Sequence, residues 1–277
     1  MKKQTSLLCP QCRRIISRDE QKCPHCGLTF PGSLLNRLVM PFFANDRIIP
    51  IVIAINALMY CISLLMDIQN ANLSVHPLYF LSPSNISLLI SGATGTVPID
   101  RFGRWWTIIS ANYLHAGLLH IVMNMAALNM MGKLIVREYG TYRMITIYAI
   151  SGIIGYIVSY LAGIGFSIGA SAAICGLIGA ALYFGKSRGG IYGQAVYKQV
   201  SGWIISMFLV GIIISGINNW AHIGGLLSGV ALGFIFGYRE RTPEKMLHRI
   251  IAYCCIVLTI SVLLWSVGTC LLGYYQF

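Results

Sequence analysis

An all-α membrane protein is the fold class that this sequence predicts, on three observations. The 277 residues are 56% hydrophobic and only 10% charged, whereas an ordinary soluble domain is about 25% charged. Apolar runs long enough to cross a bilayer recur from residue 48 onward. Lysine and arginine are concentrated in alternate connections between those runs, as the positive-inside rule requires of a polytopic chain.

A helix crosses the hydrocarbon with about 20 apolar residues. Seven candidate spans satisfy or approach this length: Ile48–Met66, about His115–Val136, Met144–Ala162, Ser171–Gly185, Ser201–Ser215, Ala221–Tyr238 and Ile250–Leu272. Pro50 falls near the start of the first, where a helix tolerates it. The fourth and fifth are short. Residues 1–47 carry eight Lys/Arg and residues 67–104 carry two, Arg101 and Arg104. The later connections carry three, none, three, none and four, and the tail none. Seven spans therefore sort eighteen cations to one side and two to the other. The N-terminus is expected in the cytosol and the C-terminus outside. The net charge of +12 is thus mostly topology, and no nucleic-acid partner is expected. The opening "MKKQTSLLCPQC" has no apolar core of the signal-peptide kind, so a prokaryotic plasma membrane is the expected location.

Before the first span, "CPQC" and "CPHCG" place Cys9, Cys12, Cys23 and Cys26 in two C-x-x-C pairs. Four thiolates so spaced suit tetrahedral Zn²⁺, which replaces a core too small to fold alone. Disulfides are disfavoured in a reducing cytosol. The expected organisation is a cytosolic zinc ribbon over residues 1–30, a linker over 31–47, a six-span core over 48–238, and a basic loop with a seventh span over 239–277. The ribbon is expected to dock a cytosolic partner, anchor the first span or regulate the membrane part. His25 reads as a bystander, and the cysteines at 61, 175, 254, 255 and 270 as packing residues.

Chemistry at membrane depth rests on "GIGFSIGASAAICGLIGA" (163–180) and "NWAHIGGLLSG" (219–229). Ser171 at a helix start reads first as an N-cap. Depth gives it a second reading. Fifteen residues separate it from Lys186, about 22 Å of helix in a core about 30 Å thick. His222 precedes Arg239 by 17 residues, about 25 Å by the same rise. The two reach similar depths below the external face. His222, Gly225, Gly229 and Gly233 form one stripe, and Ser171, Cys175 and Gly179 another. Small residues allow such helices to touch backbone to backbone, bringing a hydroxyl and an imidazole together as nucleophile and base. His120 and Asn124 are one helical turn apart and, like His115, sit at similar depth as candidate donors to an oxyanion. Taken singly, each is also explained as a polar helix-packing contact.

These residues resemble the rhomboid family of intramembrane serine proteases. The matching positions are Gly169-Ala170-Ser171 with Gly176 and Gly179, Ala221-His222 with Gly224, Gly225 and Gly229, and His120 with Asn124. The resemblance covers about residues 48–238. It implies a rhomboid-like six-helix bundle, to which the seventh helix and ribbon are additions. It also implies a Ser–His dyad with no third carboxylate and no catalytic cofactor. Ser171 would be the nucleophile and His222 the base, with the Ser171 N–H, Asn124 and His120 as oxyanion donors and Gly169 in support. Transmembrane proteins in the bilayer would be cut near the outer face. The sequence departs from the family at Thr107, where many members continue a Trp-Arg pair, at Ala172 for glycine, and at Asn218 for an acid.

Other classes fit less well. Eight Asp/Glu and no H-E-x-x-H argue against a paired-carboxylate or zinc protease. No internal repeat suggests a transporter. A catalytically inactive client-binding relative is the main alternative. The loop 67–104, polar with apolar pieces such as "PLYFLS", is expected to embed partly and shield the site.

Overall fold

The computed structural model describes residues 6–10, 14–25, 27–43, 47–72, 76, 79–214 and 216–271. Among the described residues, two strands, β1 (Ser6–Leu8) and β2 (Ile15–Ser17), precede ten α-helices. These are α1 (Leu34–Phe43), α2 (Ile48–Leu65), α3 (Asn85–Ile90), α4 (Thr107–Ser110), α5 (Leu118–Tyr139), α6 (Thr141–Leu161), α7 (Ser171–Arg188), α8 (Gly190–Ile213), α9 (Asn219–Phe236) and α10 (Met246–Leu271).

Among the described residues, α2, α5, α6, α8, α9 and α10 are long and apolar enough to cross a membrane. The protein is a multi-pass helical membrane bundle. The fourth expected span, α7, is absent from that set for a physical reason. It is built largely of Gly and Ala and ends on Lys186 and Arg188, and twelve of its eighteen residues are buried by neighbouring helices. A helix that meets protein on nearly every side needs little affinity for lipid. At the other extreme, only 11% of the most apolar window of α8 is buried, and its outward residues Ile205, Leu209, Ile212 and Ile213 are exposed.

The seam between α7 and α9 is closed by glycine. A methyl group on Gly225 would collide with the Ala172 carbonyl, one on Gly229 with the Gly176 carbonyl, and one on Gly179 with the Leu226 carbonyl. The two small-residue stripes expected to meet do so, with no room for a side chain between them.

Several boundaries differ from expectation. Helix α8 begins at Gly190 rather than Ser201, because "GIYGQAVYKQV" continues the helix beyond the apolar part. The stretch expected as a linker carries α1, whose Pro41 lies inside the helix. The seventh helix is integrated into the bundle, with Ser266 donating to the Ser91 carbonyl at 2.7 Å.

The loop between α2 and α5 is knit to the approach to α7. Thr94 and Ser167 exchange both backbone hydrogen bonds (3.0 and 2.7 Å), and Thr96 and Val97 donate to Ile164 and Gly165. Ser84 caps α3 through the Ser87 N–H. The N-terminal head is small: β1 and β2 pair antiparallel with Leu7 opposite Ile16, over a core of Cys9, Ile16, Cys23, Leu28 and Met40.

Candidate active site

Ser171 is the first residue of α7, one position inside the helix rather than its N-cap. Ala170 occupies the cap and offers no side-chain acceptor, so the N–H groups of the first turn point out unused by a cap. The chain enters this turn through Gly169, whose φ of +122° is a conformation that side-chain-bearing residues rarely adopt. Its N–H donates to the Ala111 carbonyl at 2.9 Å, and its carbonyl accepts from the Tyr156 hydroxyl at 2.7 Å. A Cβ at Gly169 would lie 3.0 Å from the His120 ring. Glycine here fits both the turn and the close approach.

His222 sits in the first turn of α9 and is 6% exposed. Its Nε2 lies 2.9 Å from Ser171 Oγ. Asn218 fixes that turn: its Oδ1 accepts from the Ala221 N–H at 3.0 Å, while its Nδ2 donates to Ser159 Oγ at 2.5 Å and Ser167 Oγ at 2.8 Å. One amide therefore ties the helix carrying the imidazole to α6 and to the loop that delivers the serine. His222 Nδ1 has no hydrogen-bond partner among the described residues.

His120 and Asn124 lie on α5 beside this pair. His120 Nδ1 accepts from the Ala116 N–H at 3.2 Å. A ring nitrogen that accepts carries no proton, so the neutral ring holds its proton on Nε2. That nitrogen faces Gly169 and is a donor there. Asn124, 8% exposed, gives one of its two N–H groups to the His120 carbonyl at 2.9 Å. His115 is fully buried, its ring centroid 5.1 Å from that of His120.

The expected residues Ser171, His222, His120 and Gly169 thus gather around one point. Asn124 is on the same helix face as His120, engaged with its own helix. The reading missed Tyr156, Ser159 and Ser167. A signal for two of them existed in "GIIGYIVS": Gly152, Gly155, Tyr156 and Ser159 recur at i, i+3, i+4 and i+7, a buried small and polar stripe on α6. Of the four cysteines, Cys9 and Cys23 are buried together in the head core; Cys12 and Cys26 lie outside the described residues.

A part-buried serine–imidazole pair at a helix N-terminus, inside a multi-pass helical bundle, defines a membrane protein with the elements of a serine hydrolase. The rhomboid-domain family model matches residues 102–239, which hold all of these site residues. The chain is 33% identical over 198 residues to RHOMBOID-like protein 4 of Arabidopsis thaliana, covering 68% of this chain and 50% of that one. It is 36% identical over 127 residues to the rhomboid protease GluP of Bacillus subtilis, covering 46% and 25%. Over 135 residues it is 35% identical to the rhomboid relative YdcA of the same bacterium, covering 48% of this chain and 68% of YdcA. The chain belongs to the rhomboid family. It spans about half the length of the plant relative and a quarter of GluP.

Proposed function

We propose that this protein is an intramembrane serine endopeptidase that cuts transmembrane protein substrates near the outer face of a prokaryotic plasma membrane. The observation that carries the reading is the 2.9 Å contact between Ser171 Oγ and His222 Nε2 beside an uncapped helix N-terminus.

Ser171 Oγ attacks the scissile carbonyl as His222 Nε2 takes its proton. The developing oxyanion is met by the Ser171 backbone N–H, His120 Nε2–H and an Asn124 N–H, donors whose effect grows where water is excluded. Collapse of the tetrahedral intermediate breaks the C–N bond, and His222 returns the proton to the leaving amine. The acyl group stays on Ser171. A water molecule, deprotonated by His222, then hydrolyses the ester and restores both residues. With His222 Nδ1 unpartnered among the described residues, a two-residue mechanism suffices. Asn218 holds the helix instead of a carboxylate holding the ring. Substrates with Gly or Pro near the outer face would present the extended backbone most easily.

The head is proposed as a zinc ribbon with ligands Cys9, Cys12, Cys23 and Cys26. The Cys9 N–H donates to the Arg14 carbonyl and the Cys23 N–H to the Leu28 carbonyl, at 2.9 and 2.8 Å. Each cysteine thus opens a loop closed five residues later, and two such knuckles suit a shared tetrahedral ion. Bound zinc would supply folding energy to the head and take no part in hydrolysis. Cys9→Ser is expected to lower zinc content, measured by elemental analysis, with the membrane helices intact. The positive-inside count supports a cytosolic head, which would meet a partner protein there.

The deciding experiment is labelling by a fluorophosphonate probe in mild detergent. Wild type is expected to label, and Ser171→Ala and His222→Ala to lose it. Folded wild type that fails to label, in detergent and in liposomes, would turn the reading to a client-binding protein without catalysis.

A further inference from the structure

Helix α1 has two faces with different surroundings. On one, Asn36 donates to the Thr29 and Phe30 carbonyls at 2.8 and 3.0 Å, Met40 is buried in the head core, and Phe43 stacks on Tyr142 of α6 and meets Tyr253 of α10 edge-on, with centroids 5.6 and 5.5 Å apart. These positions recur at i, i+4 and i+7 and fix the helix in place. On the opposite face Leu34, Leu35, Leu38 and Phe42 are 73%, 71%, 61% and 57% exposed. Arg18 and Arg37 line one open cleft with Leu7, Leu8 and Ile15 beside the start of this helix.

We propose that α1 is an interfacial helix whose bare apolar face enters the bilayer surface on the N-terminal side, with Arg18 and Arg37 on anionic lipid headgroups. Three observations select the bilayer as the occupant. The first is depth. Tyr253 lies seven residues into α10, about 10 Å along it. The 26 residues of α10 extend about 39 Å against a hydrocarbon core of about 30 Å. The Phe43 contact therefore falls near the hydrocarbon boundary, where such helices bury their apolar face by about 5–10 Å. The second is tethering, since Phe43 precedes the start of α2 by five residues, at most about 18 Å of chain.

The third is charge. Residues 1–47 hold eight Lys/Arg and three Asp/Glu, a balance that draws anionic headgroups and opposes a second identical head. Four side chains on a ten-residue helix are also small beside the roughly 800 Å² per partner of a stable protein interface. The apolar face runs the whole length of α1, so lying in the membrane plane covers all of it at once.

The test places the full-length protein in phosphatidylcholine vesicles with and without one quarter phosphatidylglycerol. Each carries a trace of lipid with a diazirine near the headgroup, and labelled peptides are mapped by mass spectrometry. The expected result is labelling of Leu34–Phe43 in the anionic vesicles, alongside the exposed Leu247 and Ile250 at the start of α10 as internal reference. Combined Arg18→Gln and Arg37→Gln, which removes only exposed cations, is expected to lower α1 labelling by up to roughly thirtyfold relative to α10, about fivefold for each cation. Leu38→Glu with Phe42→Glu is expected to abolish it. Labelling of α10 without α1, labelling indifferent to both lipid charge and the arginines, or crosslinking of α1 to a second copy would each overturn the proposal. None of these readouts depends on Ser171.

Discussion

The two ends of α6 hold polar clusters of opposite character. At its start Arg143 is fully buried, and its guanidinium is saturated. It donates to the carbonyls of Tyr139 (3.3 Å), Gly237 (3.0 Å), Thr242 (2.8 Å) and Pro243 (2.7 Å), and to His248 Nδ1 at 3.3 Å. Glu244 accepts from the first N–H groups of the helix at Tyr142 and Arg143. At the far end, Tyr156 and Ser159 help to position Gly169 and Asn218, yet both ring nitrogens of His115, His222 Nδ1 and Asn112 Oδ1 have no hydrogen-bond partner among the described residues. Buried polar groups are ordinarily satisfied. An end that meets this rule, save for Arg249 Nε over the Tyr142 ring, is built to hold. An end that departs from it retains unspent hydrogen-bonding capacity, and the Ser171–His222 pair lies there.

The contrast predicts different losses from each end. Arg143→Ala would leave the carbonyls of the α9–α10 loop and the α5–α6 corner unmet together, at a cost of about 3–5 kcal/mol. The protein is expected to accumulate poorly and unfold many degrees lower in a detergent thermal ramp. Arg143→Lys should recover only part of this, because one ammonium cannot fork to four carbonyls. An unchanged melting temperature for the alanine variant would break the comparison. At the far end, Asn124→Ala and His120→Ala are expected to slow probe labelling about 10²–10³-fold with little change in melting temperature. Were their stability to fall as labelling does, both ends would be structural.

The seam between the ends gives an intermediate effect. Gly225→Val would press into the Ala172 carbonyl one residue after Ser171, and overpacking of this kind costs about 1–3 kcal/mol. Labelling should drop further than stability, because the imidazole moves with its helix. Asn218→Ala is milder, removing a cap worth about 1 kcal/mol along with the ties to Ser159 and Ser167. Labelling rate measured beside melting temperature separates loss of aim from loss of fold.

The far end is the more legible of the two in sequence. Ser171 and His222 are polar interruptions of glycine-lined apolar runs, and counting back to the basic loops put them at one depth. Arg143 is counted among the loop cations by its position between two spans, and nothing local distinguishes it from Lys133 or Arg137. Its burial depends on carbonyls 94 to 100 residues away. Helix α1 was hidden for a different reason. Its ten residues are too few for a span, and Pro41 reads as a break. The stretch therefore reads as linker, although its apolar positions fall on one face. Tyr156 was hidden by its setting, since a tyrosine in a membrane helix has many apolar explanations and its acceptor, the Gly169 carbonyl, is set by a glycine turn.

The smallest effect belongs to Glu244, on the loop before α10. Burial pushes its carboxyl above the ordinary glutamate range, against the opposing pull of Arg239, of Arg143 and of the Tyr142 and Arg143 N–H groups. A raised acid binds its proton more tightly folded than unfolded. Stability therefore falls as pH rises from the unfolded value, about 4.3, through the folded one, and above that window the full cost of the buried charge is present. Glu244→Gln keeps an acceptor oxygen for the two N–H groups and removes the charge. At pH 7 it is expected to melt at or slightly above the wild-type temperature, and the difference should close as pH is lowered below the window. Melting curves of both proteins across pH 4 to 8 in one detergent measure this. A glutamine variant that is less stable at pH 7 would mean that the carboxylate serves chiefly as counter-ion to Arg143. The start of α6 would then be held by charge pairing as well as by the carbonyl fork.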